Sequence, residues 1–238
     1  MIVNGESYCI GIITYSKRRT YIENLLDDIR VQSDIPVYIT INCDYGKPFD
    51  EDYRNFILEL CRKHKSVYPS FYLKFRGSAK LWNDMIVNAS YDNLIIINDD
   101  ARIHNNFISD FIDYRNEVIK VNEVLKVNDG WACFCVNKNY IKSVGFFNEY
   151  YLGIGFEDAE FSKRVKEFPA YTTKDFVDLG TESVSTFPKM ENITKQEDKV
   201  YSRYNHHLYN SEEIDRTINY RPYEAVYDEK FDVIFGGD

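Results

Sequence analysis

No apolar run in this sequence approaches the length of about 20 residues that a membrane-spanning helix needs. The first residues, Met1 to Ser7, carry no basic stretch ahead of an apolar one, so a secretory signal is not expected. Cysteine is sparse and unpatterned: Cys9, Cys43, Cys61, Cys133 and Cys135 are odd in number, and no two form a CxxC pair. That spacing argues against zinc and points to buried free thiols in a reducing compartment, so a cytoplasmic protein is expected. No glycine-rich phosphate-cradling loop follows the first apolar run, which counts against a nucleotidyltransferase. Internal repeats and low-complexity linkers are absent as well. The net charge of −9 lacks the clustered basic residues of a large nucleic-acid footprint.

What is present is enough apolar material for one large domain: 238 residues, of which 44% are hydrophobic. The 20 tyrosines and 16 phenylalanines can fill a core and also supply stacking platforms for sugars or bases. Apolar runs at 7–14, 37–42, 71–75 and 94–97 read as strands. Between them, 20–31, 51–65 and 79–89 carry apolar residues at helical spacing, for instance Ile22, Leu25, Leu26 and Ile29. This alternation predicts a mostly parallel sheet flanked by helices. Beyond it, 107–127 reads as a long helix or helix-turn-helix, 131–136 as a strand, 140–144 as a short helix and 176–178 as a final strand. From about residue 188 the composition turns polar and tyrosine-rich, which reads as a C-terminal helical appendage (188–238) packed on the domain formed by 1–187.

In a parallel sheet the binding crevice lies outside the carboxyl ends of the strands. Three predicted strands end there in polar residues: Thr14 and Tyr15 with Lys17 and Arg18 nearby, Asn42 with Asp44, and Asn98 with Asp99 and Asp100. The last group follows four aliphatic residues directly, an anchoring that an ordinary Asp-rich turn does not need. Hard divalent cations take such oxygen ligands and share them with substrate phosphates. A second acidic group lies at Glu157 and Asp158, just past Gly153 and Gly155, at the start of a predicted helix. Alone, that pair merely complements the positive end of a helix dipole. Phe161 and Val165 give the helix an apolar stripe that places Asp158 at the edge of its buried face.

With both acidic clusters placed, residues 7–187 resemble a glycosyltransferase of the α/β, Rossmann-like GT-A fold, most like family 2 and its relatives. The segment Gly11 to Arg18 resembles the family's opening strand and nucleotide-contacting loop, and Asp44 matches the acid that holds the base. Ser78 to Asn83, with Lys80 and Asn83, resembles the segment before the metal motif, near the nucleotide-sugar. Asn98-Asp99-Asp100 stands where the family has DxD, so the resemblance makes Asp100 the main metal ligand, Asn98 a weaker one and Asp99 a nucleotide-sugar contact. Gly145 to Glu149, followed by Glu157 to Arg164, resembles the family block G-x-F-[DN]-E … E-D-x-[DE]-[FL]-x-x-R. Its implied general base is Asp158, with Glu157 contacting acceptor or sugar. Asp178, ahead of Gly180, falls where many members carry a metal-binding histidine, while His206 and His207 in the tail read as surface residues.

The resemblance implies transfer of a sugar from a nucleoside diphosphate to an acceptor hydroxyl on a glycan or other polymer. Manganese or magnesium would assist, and the anomeric configuration would invert. Two further readings stay open. One is a phage-type DNA glycosyltransferase acting on a hydroxylated nucleobase, with Lys189, Lys195, Lys199 and Arg203 as a basic face. The other is a non-catalytic nucleotide-sugar-binding protein, motivated by Asn98 and the missing histidine.

Overall fold

A computed structural model of the chain describes residues 1–44, 47–103, 106–118, 123–127, 130–165, 172–176 and 204–211. A short β1 (Ile2–Val3) pairs antiparallel with β2 (Glu6–Thr14), the central strand. A 3-10 turn (Ser16–Arg18) then leads into α1 (Arg19–Gln32), followed by β3 (Val37–Ile41), α2 (Glu51–Lys63), β4 (Val67–Phe71), α3 (Ser78–Asn88) and β5 (Asn93–Asn98). The second half contributes α4 (Phe107–Val118), β6 (Glu123–Val127), β7 (Gly130–Asn137), α5 (Lys138–Val144), α6 (Glu157–Val165) and β8 (Thr172–Phe176). A last helix, α7, spans 204–210.

The strands lie in the order β4-β3-β2-β5-β7-β6-β8. The first four are mutually parallel, so their carboxyl ends share one edge. β7 runs antiparallel to both β5 and β6, and β8 runs parallel to β6. Alternate side chains of the central strands feed two separate cores. Tyr8, Ile10 and Ile12 join Leu25 and Ile29 of α1, Ile57 of α2 and Phe111 of α4 on one face. Cys9, Leu94 and Ile96 join Trp82 and Met85 of α3, Ile141 of α5 and Phe161 of α6 on the other. This is the α/β arrangement that the sequence predicts. Among the described residues no helix is long and apolar enough to cross a membrane.

Three predicted elements need correction. The strand expected at 71–75 lies at Val67–Phe71 instead and includes Pro69. Among the described residues β4 is the outer strand and pairs with β3 alone, so a residue without an N–H is tolerated there. The expected helical stretch 107–127 is a helix followed by a strand, and β6 buries Val124, Leu125 and Val127 against the sheet. The strand expected at 176–178 is β8, whose last residue is Phe176, and Asp178 lies outside the described residues. Of the expected appendage, only 204–211 is described.

Candidate active site

The polar residues expected at the strand ends do gather at one edge. Strand register pairs Ile13 of β2 with Asn98 of β5, so Thr14 and Asp99, the next residues, stand side by side. Thr14 is fully buried and its hydroxyl lies 2.6 Å from the Tyr53 hydroxyl of α2. The chain turns at once after β5, with Ala101 N–H donating to the Asn98 carbonyl at 3.0 Å. Arg18 reaches across this turn. Its Nη1 donates to Asp100 Oδ2 at 2.8 Å and to Asp99 Oδ1 at 3.3 Å, and its Nε donates to the Tyr15 hydroxyl at 3.2 Å.

Burial sets the electrostatics here. It pushes the Asp99 carboxyl up to about 7, against the pull of Arg18 and the Thr14 hydroxyl, with Asp100 adding to the rise. Burial works against the Arg18 charge as well. Asp99, Asp100 and Tyr15 more than offset that, so the guanidinium is held protonated. Asp99 Oδ2 is buried with no hydrogen-bond partner among the described residues, and the Asp100 side chain is 35% exposed.

Beside this cluster a cavity of about 670 Å³ opens at the ends of β2 and β3, within the size range of small-ligand sites. Asp44, Ser16, Lys17, Phe49 and Tyr53 line it. Ser16 Oγ donates to Asp44 Oδ2 at 2.9 Å, while Asp44 Oδ1 is buried and has no hydrogen-bond partner among the described residues. Tyr53 is fixed because Asp50 caps α2, its side chain accepting the Tyr53 N–H at 2.8 Å.

Lys80 and Asn83 of α3 are drawn inward rather than toward the crevice. Asn83 is fully buried. Its amide accepts the Phe147 N–H at 3.0 Å, and donates to the Phe147 carbonyl at 2.9 Å and to Glu149 Oε1 at 2.8 Å. Lys80 is 5% exposed and pairs with Asp84 at 2.9 Å and with Glu149 at 3.8 Å. The Tyr72 hydroxyl bonds Asp84 as well. Through these bonds both residues anchor the 145–149 loop.

The glycine-hinged acidic loop joins the same edge. Asn42, at the end of β3, exchanges hydrogen bonds with the Arg76 backbone, and Ser78 N–H donates to the Gly153 carbonyl at 2.9 Å. Gly77 makes this approach possible, since a Cβ there would stand 3.0 Å from the Tyr151 carbonyl oxygen. Gly155 takes φ +114° and Phe156 the left-handed φ of +71°, a conformation that costs a non-glycine residue on the order of 1 kcal/mol or more. Glu157, 4% exposed, accepts the Gly155 N–H at 2.5 Å. Burial raises its carboxyl to about 7, opposed by the backbone N–H groups of Glu157 and Gly155 and reinforced by Asp158. Asp158 is half-buried, with Oδ1 accepting the Ala159 N–H at 2.8 Å. Behind them, buried Arg164 pairs with Glu160 at 2.9 Å and donates to the Val144 and Phe146 carbonyls.

Asn205 of α7 is a further residue of this loop that the sequence does not announce. Fully buried, it accepts the Leu152 N–H at 2.9 Å and donates to the Leu152 and Gly155 carbonyls, each at 2.8 Å. Phe156 packs against His206 and Tyr209. A Tyr-Asn-His-His stretch gives no signal for this, because the partners of Asn205 are backbone groups some fifty residues away.

The donors at the β5 end are all oxygens, with one buried lone-pair set, on Asp99 Oδ2, left open. That chemistry fits magnesium or manganese, which need few protein ligands when phosphates and water complete the shell. Among the described residues no group of three His, Cys, Asp or Glu gathers that could hold a metal by itself.

No protein-family model matches the sequence, and no curated protein matches it. Solved structures do. The mannosyltransferase PcManGT from Pyrobaculum calidifontis, in complex with GDP-Man and Mn2+, superposes with a TM-score of 0.59 at 13% identity, covering 73% of this chain and 55% of that one. S. aureus TarS in complex with UDP-GlcNAc gives 0.53 at 15% identity, covering 72% and 58%. Glucosyl-3-phosphoglycerate synthase from Mycobacterium tuberculosis, in complex with Mn2+, UDP and phosphoglyceric acid, gives 0.58 at 13% identity, covering 84% and 75%. The chain thus spans little more than half the length of the first two. With its strand order, its crevice at the carboxyl edge and these neighbours, the chain has the GT-A fold of nucleotide-sugar glycosyltransferases.

Proposed function

We propose that the protein is a glycosyltransferase that moves a sugar from a nucleoside-diphosphate donor to an acceptor hydroxyl with inversion. The observation that carries this reading is the convergence at one sheet edge of a ligand-sized cavity lined by Asp44, the Asp99–Asp100 pair and the loop bearing Glu157 and Asp158. Asp44 and the half-buried Phe49 ring, on the wall of the cavity, are the place for the nucleobase. Asp100, with Asp99 Oδ2 and Asn98, is the place for a divalent cation. Such a cation, manganese or magnesium, would offset charge on the departing diphosphate. Asp158, the more exposed acid of its pair, takes the proton of the attacking hydroxyl. Glu157 has a carboxyl raised to about 7, near the value that suits a base at neutral pH, so it is the second candidate for that role. Five free cysteines fit a reducing, cytoplasmic setting.

A thermal-shift panel of nucleoside diphosphates and nucleotide-sugars, with and without manganese, tests the reading. A ligand at a hundredfold excess over its Kd adds about 2.7 kcal/mol to stability. The expected result is a manganese-dependent shift with one nucleotide-sugar that disappears in Asp100→Ala and persists in Asp158→Asn, which binds but does not transfer. Failure of every nucleotide at millimolar concentration would overturn the reading.

A further inference from the structure

The two acids assigned to the cation already hold a cation supplied by the chain. Arg18 Nη1 contacts Asp100 Oδ2 at 2.8 Å and Asp99 Oδ1 at 3.3 Å. Arg18 is 8% exposed, and its guanidinium is secured from its other sides. Nε donates to the Tyr15 hydroxyl, and the Tyr15 and Tyr21 ring centroids lie 5.2 and 5.4 Å from Cζ. Its position is set by the backbone: the 3-10 turn Ser16–Arg18 follows directly from β2, the strand beside β5. Arg18 takes Asp99 Oδ1 and Asp100 Oδ2 and leaves Asp99 Oδ2 open, but a guanidinium at these distances repels a divalent ion bound to the same two carboxylates.

Resting on the metal reading above, we propose that Arg18 is a resident counter-cation that competes with the divalent ion for the negative charge of Asp99 and Asp100 and so weakens its binding. This sets an intrinsic ceiling on metal affinity in the empty enzyme. A donor diphosphate lifts it by giving the displaced guanidinium a new anionic partner, since the planar fork of arginine matches phosphate oxygens. A purely structural role for Arg18, as a clamp that holds the acids ready for the metal, predicts the opposite sign when it is removed.

The test is a titration of Mn2+ into nucleotide-free protein, followed by the electron paramagnetic resonance signal of the free ion, on wild type, R18Q, R18K and D100A. Competition predicts that R18Q binds Mn2+ at least about tenfold more tightly than wild type, because a positive charge has left the ligand oxygens. R18K, which keeps the charge, stays within about threefold of wild type on the same argument. D100A loses binding in either background. Should R18Q fail to fold, R18M retains the aliphatic stem between the tyrosines and serves the same comparison. Equal or weaker Mn2+ binding by R18Q overturns the proposal, as does an equal gain in R18K. Absence of Mn2+ binding in wild type and R18Q alike removes the metal role of these acids and this proposal with it. The glycosyltransferase reading would still stand if a nucleotide-sugar shifted the melting temperature without metal.

Discussion

Replacing Glu157 with glutamine removes a buried charge at its most unfavourable position in the active-site loop. In the folded protein the Glu157 carboxyl is raised from 4.5 to about 7, chiefly by burial. A raised carboxyl pKa means that the folded state holds the proton more tightly than the unfolded chain. Stability from this group is therefore fully present below pH 4.5, falls as pH rises to about 7, and is level above that. The shift of about 2.5 pH units (7 − 4.5), at ~1.4 kcal/mol per unit, corresponds to about 3 kcal/mol, most of it spent between pH 5 and pH 8. Glutamine keeps an acceptor for the Gly155 N–H but does not ionise. Urea unfolding of wild type and Glu157→Gln at pH 5 and pH 8 isolates the effect, because the parallel contribution of Asp99 is common to both proteins and cancels. The variant should gain about 2–3 kcal/mol on wild type between the two pH values. A gain under about 0.5 kcal/mol would refute the reasoning, since Glu157 would then ionise in the fold as it does in water.

Two other perturbations probe the scaffold of the loop. Asn205→Ala removes three hydrogen bonds to the Leu152 and Gly155 backbone, at about 1 kcal/mol each, and should cost about 2–3 kcal/mol in denaturant unfolding while speeding hydrogen exchange of the Leu152 amide. Arg164→Met leaves Glu160 buried without its partner, and a loss of about 3–5 kcal/mol is expected in denaturant unfolding at pH 7.5. An Arg164→Met protein as stable as wild type by the same measurement would show that the ion pair is dispensable.

Much of the fold is legible in the sequence because the parallel half obeys simple periodicities. Leu94 to Ile97 are apolar without alternation because β5 is covered on both faces, and Ile22, Leu25, Leu26 and Ile29 mark α1 because only one face meets the sheet. The failures have equally local causes. Pro69 hides β4, a strand whose outer position alone makes proline acceptable. Residues 107–127 read as a long helix or helix-turn-helix because apolar residues recur through both α4 and β6, and the strand is fixed by its pairing with β7, a partner later in the chain. The polar network of α3 is hidden for another reason. Helical periodicity tells which positions face inward only when they are apolar, yet Lys80, Asn83 and Asp84 are as buried as Trp82.

The site shows the same limit in a form that bears on mechanism. Reading α6 from Phe161 and Val165 centres its buried stripe near Asp158 and leaves that acid at the edge, where it indeed lies half-buried. The full set of buried residues, Glu157, Glu160, Phe161, Arg164 and Val165, centres the stripe closer to Glu157, about 100° round the helix from Asp158. A charged residue inside such a stripe is invisible to hydrophobic periodicity, because its burial is compensated by partners that are distant in sequence or belong to the backbone. For Glu160 the compensation is Arg164, whose other hydrogen bonds reach the Val144 and Phe146 carbonyls. For Glu157 it is only the Gly155 N–H and its own helix end, so its charge is left under-compensated and its proton is retained to about 7. Adjacent acids in one dipeptide thus occupy different electrical environments, one poised to exchange a proton near neutrality and the other more open to an incoming hydroxyl. On the proposed glycosyltransferase reading, the pH dependence of kcat/KM in Glu157→Gln and Asp158→Asn distinguishes the two as candidates for the base.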